Sequence, residues 1–410
     1  MQLPEMGDLP HMWTEDTPRG DPLLSFSFQE QTYGFFLFSL PMWVELLTFI
    51  VAEACLAALI GVLIYYSVVL HANTSTAYLV GFGVFLPFWI FAPQAAVHAM
   101  GISNKIFLFC ICVISPTTSL FRITEAIFGF TPPHAKKSVG AYALYFGSPM
   151  LLICDPKTQK HVKASWSRIF WHLRRFVTYL FFAGMYQSLF ALFPSFFPSF
   201  GGPTPDDWHS WEQIRNPWMW KDTILVAILF QVYLGAFGEG LIFFTTLVTQ
   251  KQTIMLMENP MFESKSPSDF WGRRWNLLVH YCLKNGVYKP VRKMGGTALM
   301  AVLSSFLASG LFHEWILPTV FHDNAKLTFG TTSLFFVWQA VLISVEYSPL
   351  AKNDKSFLGF VSKLPLPVRT ALVVISGAPL GHWFVDSYVH SEFFPQGQMV
   401  LMAILLTDKA

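Results

Sequence analysis

Apolar residues in this chain run in long unbroken stretches, not in short alternating patches, and eight stretches approach the roughly 20 residues needed to cross a bilayer. They lie near Val44–Leu70, Ala77–Ala99, Lys105–Phe121, Phe176–Phe193, Thr223–Val248, Thr297–Val320, Thr328–Glu346 and Thr370–Val389. A ninth, Met399–Thr407, is too short to span unaided. The pattern predicts an all-α, polytopic membrane helix bundle of about eight transmembrane helices, with additional interfacial helices. Residues 1–43 are expected to form a lumenal segment and 44–410 a single membrane domain.

The polar positions between these stretches give the bundle a direction. Segment 124–175 carries eight Lys and Arg, Lys136 to Arg175. Segment 249–296 carries another eight, Lys251 to Lys293, and segment 347–369 adds Lys352, Lys355, Lys363 and Arg369. With eight spans all three fall on one face, and Lys and Arg near span ends mark the cytoplasmic side. The acidic N-terminus and segment 194–222, with Asp206, Asp207 and Glu212, then face the lumen. Within Lys163–Val177, the residues Trp166, Ile169, Phe170, Leu173 and Val177 recur at helical spacing beside Arg168, Arg174 and Arg175. That fits either a helix lying in the interface or the start of the fourth span. The Pro-rich piece from Phe193 to Asp207 reads as a lumenal loop.

Composition sharpens this picture. Of 410 residues 53% are hydrophobic and only 13% charged, too few charges for an ordinary soluble domain. A net charge of +2 argues against nucleic acid as a partner. The five cysteines make no CxxC pair and read as buried thiols. No cleavable signal peptide is visible at the N-terminus, so the endoplasmic reticulum membrane is the default destination. No internal repeat supports a transporter built from duplicated halves.

Ionisable groups inside a span are costly and mark candidate sites. Four places qualify. The first is Ser309-Gly310-Leu311-Phe312-His313-Glu314-Trp315 in the sixth stretch, where His313 could act as a general base or simply tie two helices together. The second is Phe270-Trp271-Gly272-Arg273-Arg274-Trp275-Asn276, with Trp271 and Trp275 one helical turn apart, and Asn276 and His280 likewise. It reads either as an interfacial helix with aromatic anchors or as a segment carrying Asn276 into a reaction site. The third is Glu239 between two glycines, and the fourth is His382 with Asp386, whose spacing suits a structural hydrogen bond. A metal site is not expected, because His313-Glu314 lacks the second histidine of HExxH: position 317 is Leu317.

FWGRRWN followed by an intramembrane SGLFHEW resembles the wax-synthase branch of the membrane-bound O-acyltransferases. Within it, the motifs are most similar to fungal enzymes that acetylate terpenoid and meroterpenoid hydroxyls. The close match runs from Asn259 to Trp315. The resemblance implies an O-acyltransferase acting on a lipophilic alcohol, with no tightly bound cofactor and acyl-CoA, acetyl-CoA above all, as co-substrate. It implies a catalytic His313 assisted by Asn276. It also implies that Trp271, Gly272, Arg273, Arg274 and Trp275 shape the acyl-CoA site, with Ser309, Glu314 and His280 as supporting residues. A long-chain wax-ester enzyme is the alternative within the family. A membrane terpene cyclase, a transporter and a binding protein are the alternatives outside it.

Overall fold

The computed structural model describes residues 22–28, 31–193, 196, 211, 213–321, 329–349, 357–391 and 393–406. The expectations for the acidic N-terminus, for most of the Pro-rich loop, for Asp206, Asp207 and Glu212, and for Lys352 and Lys355 lie outside these residues.

All eight apolar stretches are helical. Helix α1 is Leu40–Val69, α2 Ser75–Ala99 and α3 Lys105–Ile127. A short helix, α4 (Val139–Gly147), precedes α5 (Trp166–Leu192) and α6 (Pro217–Thr249). Then come α7 (Leu277–Leu283), α8 (Ala298–Val320) and α9 (Thr331–Glu346). Last are α10 (Leu366–Leu380) and α11 (His382–Val389). Short polar side chains start most of them: Ser39, Thr74, Asn104, Ser165, Asn216 and Thr297 each accept an N–H from the first turn.

Among the described residues five helices are long and apolar enough to cross a membrane: α1, α2, α3, α6 and α8. The protein is an integral membrane helix bundle. In its most apolar stretch α3 is 83% buried, whereas α1 and α2 are 22% buried, so α3 runs through the middle and the other two lie at the edge. The outward side chains of α1 include Leu56, Leu59 and Leu63, an apolar face suited to lipid. Helix α9 has 16 residues, about 24 Å at the helical rise, and is shorter than the hydrocarbon core.

Two expectations change in detail. Residues Lys163–Val177 do not form a separate interfacial helix: Trp166–Leu192 is one continuous helix of 27 residues, so the amphipathic turns are the start of the fourth stretch. The eighth stretch is not straight, because α10 and α11 meet at 71° around Gly381. Gly377, Pro379 and Gly381 crowd this point, and a proline without an N–H breaks the backbone ladder there.

A small antiparallel sheet pairs β1 (Leu24–Phe28), β2 (Gln31–Phe36) and β3 (Ala403–Leu406), in that order. Trp43 Nε1 donates to the Val400 carbonyl at 2.9 Å, and the Ile404 N–H donates to Ser188 Oγ at 2.9 Å. The C-terminal strand lies so close to α5 that a Cβ on Gly184 would overlap the Met402 carbonyl oxygen.

Candidate active site

The FWGRRWN segment does not fold as one continuous helix. Phe270–Arg274 is a single π-helical turn, closed by the Trp275 N–H donating to the Phe270 carbonyl at 2.8 Å. Trp275 is then extended, and Asn276 adopts the left-handed conformation at φ 41°, ψ 67°. Asparagine tolerates this region better than most residues. Its Oδ1 accepts the Val279 N–H at 3.2 Å, so Asn276 is the N-cap of α7. The Nδ2 of Asn276 makes no hydrogen bond among the described residues and remains a donor.

The π turn brings Trp271 and Trp275 together with ring centroids 5.9 Å apart, and Phe270 stacks on Trp275 at 5.4 Å. Arg274 turns the other way. Its Nε donates to Asp269 Oδ2 at 2.8 Å, and Nη1 donates to Glu263 Oε2 and to the Glu258 carbonyl, both at 2.9 Å. The segment is therefore not one interfacial helix with aromatic anchors: the helix is broken at Trp275 and Asn276, and Arg274 is held by two carboxylates.

On α8, His313 Nδ1 lies 2.7 Å from the Ser309 carbonyl oxygen one turn earlier. A carbonyl oxygen can only accept, so the Nδ1 proton is fixed and Nε2 carries the lone pair of a neutral imidazole. The ring sits 4.6 Å from that of Phe336 and 5.4 Å from that of Phe384. Gly310 lets α9 come close: a Cβ there would lie 2.7 Å from Ser333 Cα. Glu314 is buried on the α9 side, where its Oε1 accepts the Ser333 N–H at 2.9 Å. It caps α9 from a neighbouring helix.

His313 and Asn276 line the same cavity, of about 580 Å³. Trp271, Gly272, Arg273, Trp275, His280 and Ser309 line it too, whereas Arg274 and Glu314 do not. Most of the wall is apolar, from α3, α6, α8 and α9, with Lys284 and Tyr288 joining Arg273 from segment 249–296. Burial, followed by the neighbouring Lys284, holds the His280 imidazole below its ordinary value.

The other two candidates stand apart from this cavity. Glu239 is buried and takes His172 Nδ1 at 2.7 Å and Arg175 Nε at 2.6 Å, which ties α5 to α6. His382 and Asp386 are buried on α11, and Asp386 Oδ1 is 3.5 Å from His390 Nε2. Among the described residues no cluster of three His, Cys, Asp or Glu could hold a metal ion.

Sequence reasoning missed Gln339 and Glu346. Gln339 Oε1 accepts from Trp271 Nε1 at 3.2 Å. Glu346 accepts the Ser268 N–H at 2.8 Å and its hydroxyl at 2.6 Å. Gln339 is a polar side chain in an apolar stretch, and a search that counted uncharged amides would have found it.

Residues 255–338 match the model of the membrane bound O-acyl transferase family. The chain is similar to probable long-chain-alcohol O-fatty-acyltransferase 9 of Arabidopsis thaliana, 38% identical over 95 residues, covering 22% of this chain and 27% of that protein. It is 29% identical over 167 residues to probable long-chain-alcohol O-fatty-acyltransferase 8 of the same plant, 38% of this chain and 47% of the relative. The long-chain-alcohol O-fatty-acyltransferase of Simmondsia chinensis is 32% identical over 134 residues, 30% of this chain and 36% of its own length. The matched regions thus span less than half of each relative. What the comparisons identify is a segment, 255–338, that is similar to the membrane bound O-acyl transferase family and carries both Asn276 and His313.

Proposed function

We propose that the protein transfers an acyl group from acyl-CoA to the hydroxyl of a lipophilic alcohol. The observation that carries this reading is the pairing, in one cavity, of a neutral imidazole whose Nδ1 is anchored and an amide with a donor to spare. His313 Nε2 takes the hydroxyl proton as the alcohol oxygen attacks the thioester carbon. Asn276 Nδ2 donates to the developing oxyanion, a contribution commonly worth about 3 kcal/mol. The carbon–sulfur bond then breaks, and the thiolate of CoA recovers the proton from His313. Apolar walls keep water from the thioester. Arg273 and Lys284 on the cavity wall suit the phosphates of CoA arriving from the face where the basic segments concentrate.

The finer assignment follows the motif resemblance: an acetyl donor and a terpenoid or meroterpenoid acceptor as in fungal secondary metabolism. Residence in the endoplasmic reticulum is the default for a membrane protein with no other visible targeting signal. A second reading, a long-chain donor, is favoured by the relatives, which are named for long-chain alcohols and fatty acyl groups. The test supplies purified protein in nanodiscs with acetyl-CoA or palmitoyl-CoA and a panel of hydroxylated terpenoids and fatty alcohols. Ester mass with acetyl-CoA alone supports the first reading, and with palmitoyl-CoA alone the second. No ester on any acceptor would remove the acyltransferase.

A further inference from the structure

A second cavity, of about 80 Å³, lies against the first and shares four aromatic lining residues with it: Phe230, Trp271, Trp275 and Phe384. The wall between them stands next to the reaction centre. Phe384 is 5.4 Å from the His313 ring on one side and stacks on Phe335, a lining residue of the second cavity, at 5.3 Å. The remaining walls come from α6, α9, residues 261–270, α10 and its break with α11, where Gly377, Ala378 and Gly381 line the space. Irregular backbone at membrane depth is tolerated where it is buried in protein or lines a cavity.

Apart from the tryptophan ring nitrogens, two polar side chains line this chamber, Gln339 and Thr223. They are 4% and 5% exposed. Gln339 uses its Oε1 on Trp271, but its Nε2 has no partner among the described residues, and neither has Thr223 Oγ1. Buried donors without partners pay the full desolvation cost of burial, so an amide and a hydroxyl lining an otherwise greasy space suit an occupant with oxygen atoms. No lysine or arginine lines the chamber, so a phosphate is a poor occupant. A neutral hydroxyl or carbonyl on an apolar skeleton fits both the walls and the two polar groups.

We propose that this side chamber binds a second oxygen function of the alcohol acceptor, with Gln339 Nε2 donating to it and Thr223 Oγ1 completing the contact. The inference rests on the acyltransferase reading and narrows its acceptor: a lipophilic molecule carrying one hydroxyl that reacts at His313 and another oxygen a fixed distance away. A site built to pair a polar group rejects an analogue that lacks it.

The experiment compares hexadecanol with a series of hexadecanediols and keto-alcohols in which the second oxygen moves carbon by carbon. Each is offered to the protein with acetyl-CoA and palmitoyl-CoA. The readout is the ratio of kcat/KM for the oxygenated alcohol to that for hexadecanol. The expected wild-type ratio peaks at one spacing, by about tenfold, the effect of one hydrogen bond gained in a dry site. In Gln339→Leu and in Thr223→Val the peak collapses toward one. Thr223→Val is isosteric and leaves the Trp271 bond intact, so it keeps the test open if Gln339→Leu fails to fold. A flat wild-type ratio, with hexadecanol itself acylated, would show that the chamber holds only water. A peak that survives both substitutions would place the second oxygen elsewhere. No ester with any alcohol would remove the acyltransferase reading and this inference with it.

Discussion

His313 donates its Nδ1 proton to the main-chain carbonyl of Ser309, 2.7 Å away and one turn earlier on the same helix. In many sites a carboxylate fixes the tautomer of a catalytic histidine; here the helix itself does so. The anchor is backbone, so the Ser309 side chain is dispensable to it. Ser309→Ala is expected to keep turnover within about threefold of wild type, a change below 1 kcal/mol. Steady-state kinetics with a responsive acceptor check this, and a loss of a hundredfold would mean that the hydroxyl itself touches the reaction.

Asn276 carries two loads that substitutions can separate. Its Oδ1 caps α7 while its Nδ2 remains to donate. Asn276→Asp keeps an acceptor suited to the cap and tolerates the left-handed backbone, but removes the donor. Turnover should fall by about a hundredfold or more with little change in thermal unfolding. Asn276→Ala should lose both activity and about 1–2 kcal/mol of stability, since the cap goes and a side chain poorly suited to φ 41° remains. Equal turnover for Asn276→Asp and wild type would reduce Asn276 to a cap.

Glu314 follows His313 in sequence but faces the other way. Glu314→Gln retains the acceptor for the Ser333 N–H and removes a buried carboxylate whose Oε2 has no partner among the described residues. Turnover and unfolding temperature should therefore be held or improved. Glu314→Ala, which leaves the first turn of α9 uncapped, should cost about 1–2 kcal/mol. Thermal unfolding in nanodiscs separates the two variants, and equal losses would contradict the capping role.

How far the sequence reached can be judged residue by residue. Long apolar runs and caps such as Ser39 and Thr297 are local signals, so the eight long apolar stretches fold as helices. The resemblance paired His313 with Asn276, and the fold brings both to one cavity. The turn-by-turn spacing of Trp271 and Trp275 concealed a π turn and a left-handed Asn276, because periodicity records side-chain type and not the backbone angle that interrupts a helix. Glu239 showed no partner in the sequence because His172 and Arg175 come from a helix more than 60 residues away. Likewise the 71° bend at Gly381 sits inside a run that hydropathy alone reads as one span.

Acid should loosen the motif loop. Hydrogen bonds from Asn259 and Arg274 hold the Glu263 carboxyl below its ordinary value. Burial pushes Asp269 up, but the Lys265 N–H and Arg274 outweigh it and hold this carboxyl low as well. Carboxylates with lowered values stabilise the folded state fully above their unfolded values, near pH 4, and lose that contribution as pH falls through the folded ones. Hydrogen exchange across residues 258–275, corrected for intrinsic rates, should stay constant from neutral pH to about pH 5 and accelerate below about pH 4. Arg274→Ala should show the faster exchange at every pH, and an unchanged profile would mean that this clamp does not hold the loop.

The central claim is that His313 Nε2 is the base of a direct transfer. His313→Asn tests it, because the asparagine amide replaces the Nδ1 donor to the Ser309 carbonyl while the basic nitrogen is lost. Release of CoA thiol would be followed together with ester mass for wild type and variant, at matched folding and matched acyl-CoA binding. The account predicts that both products appear together in wild type and fall by at least about a hundredfold together in His313→Asn. Ester formed by the variant at the wild-type rate would contradict it.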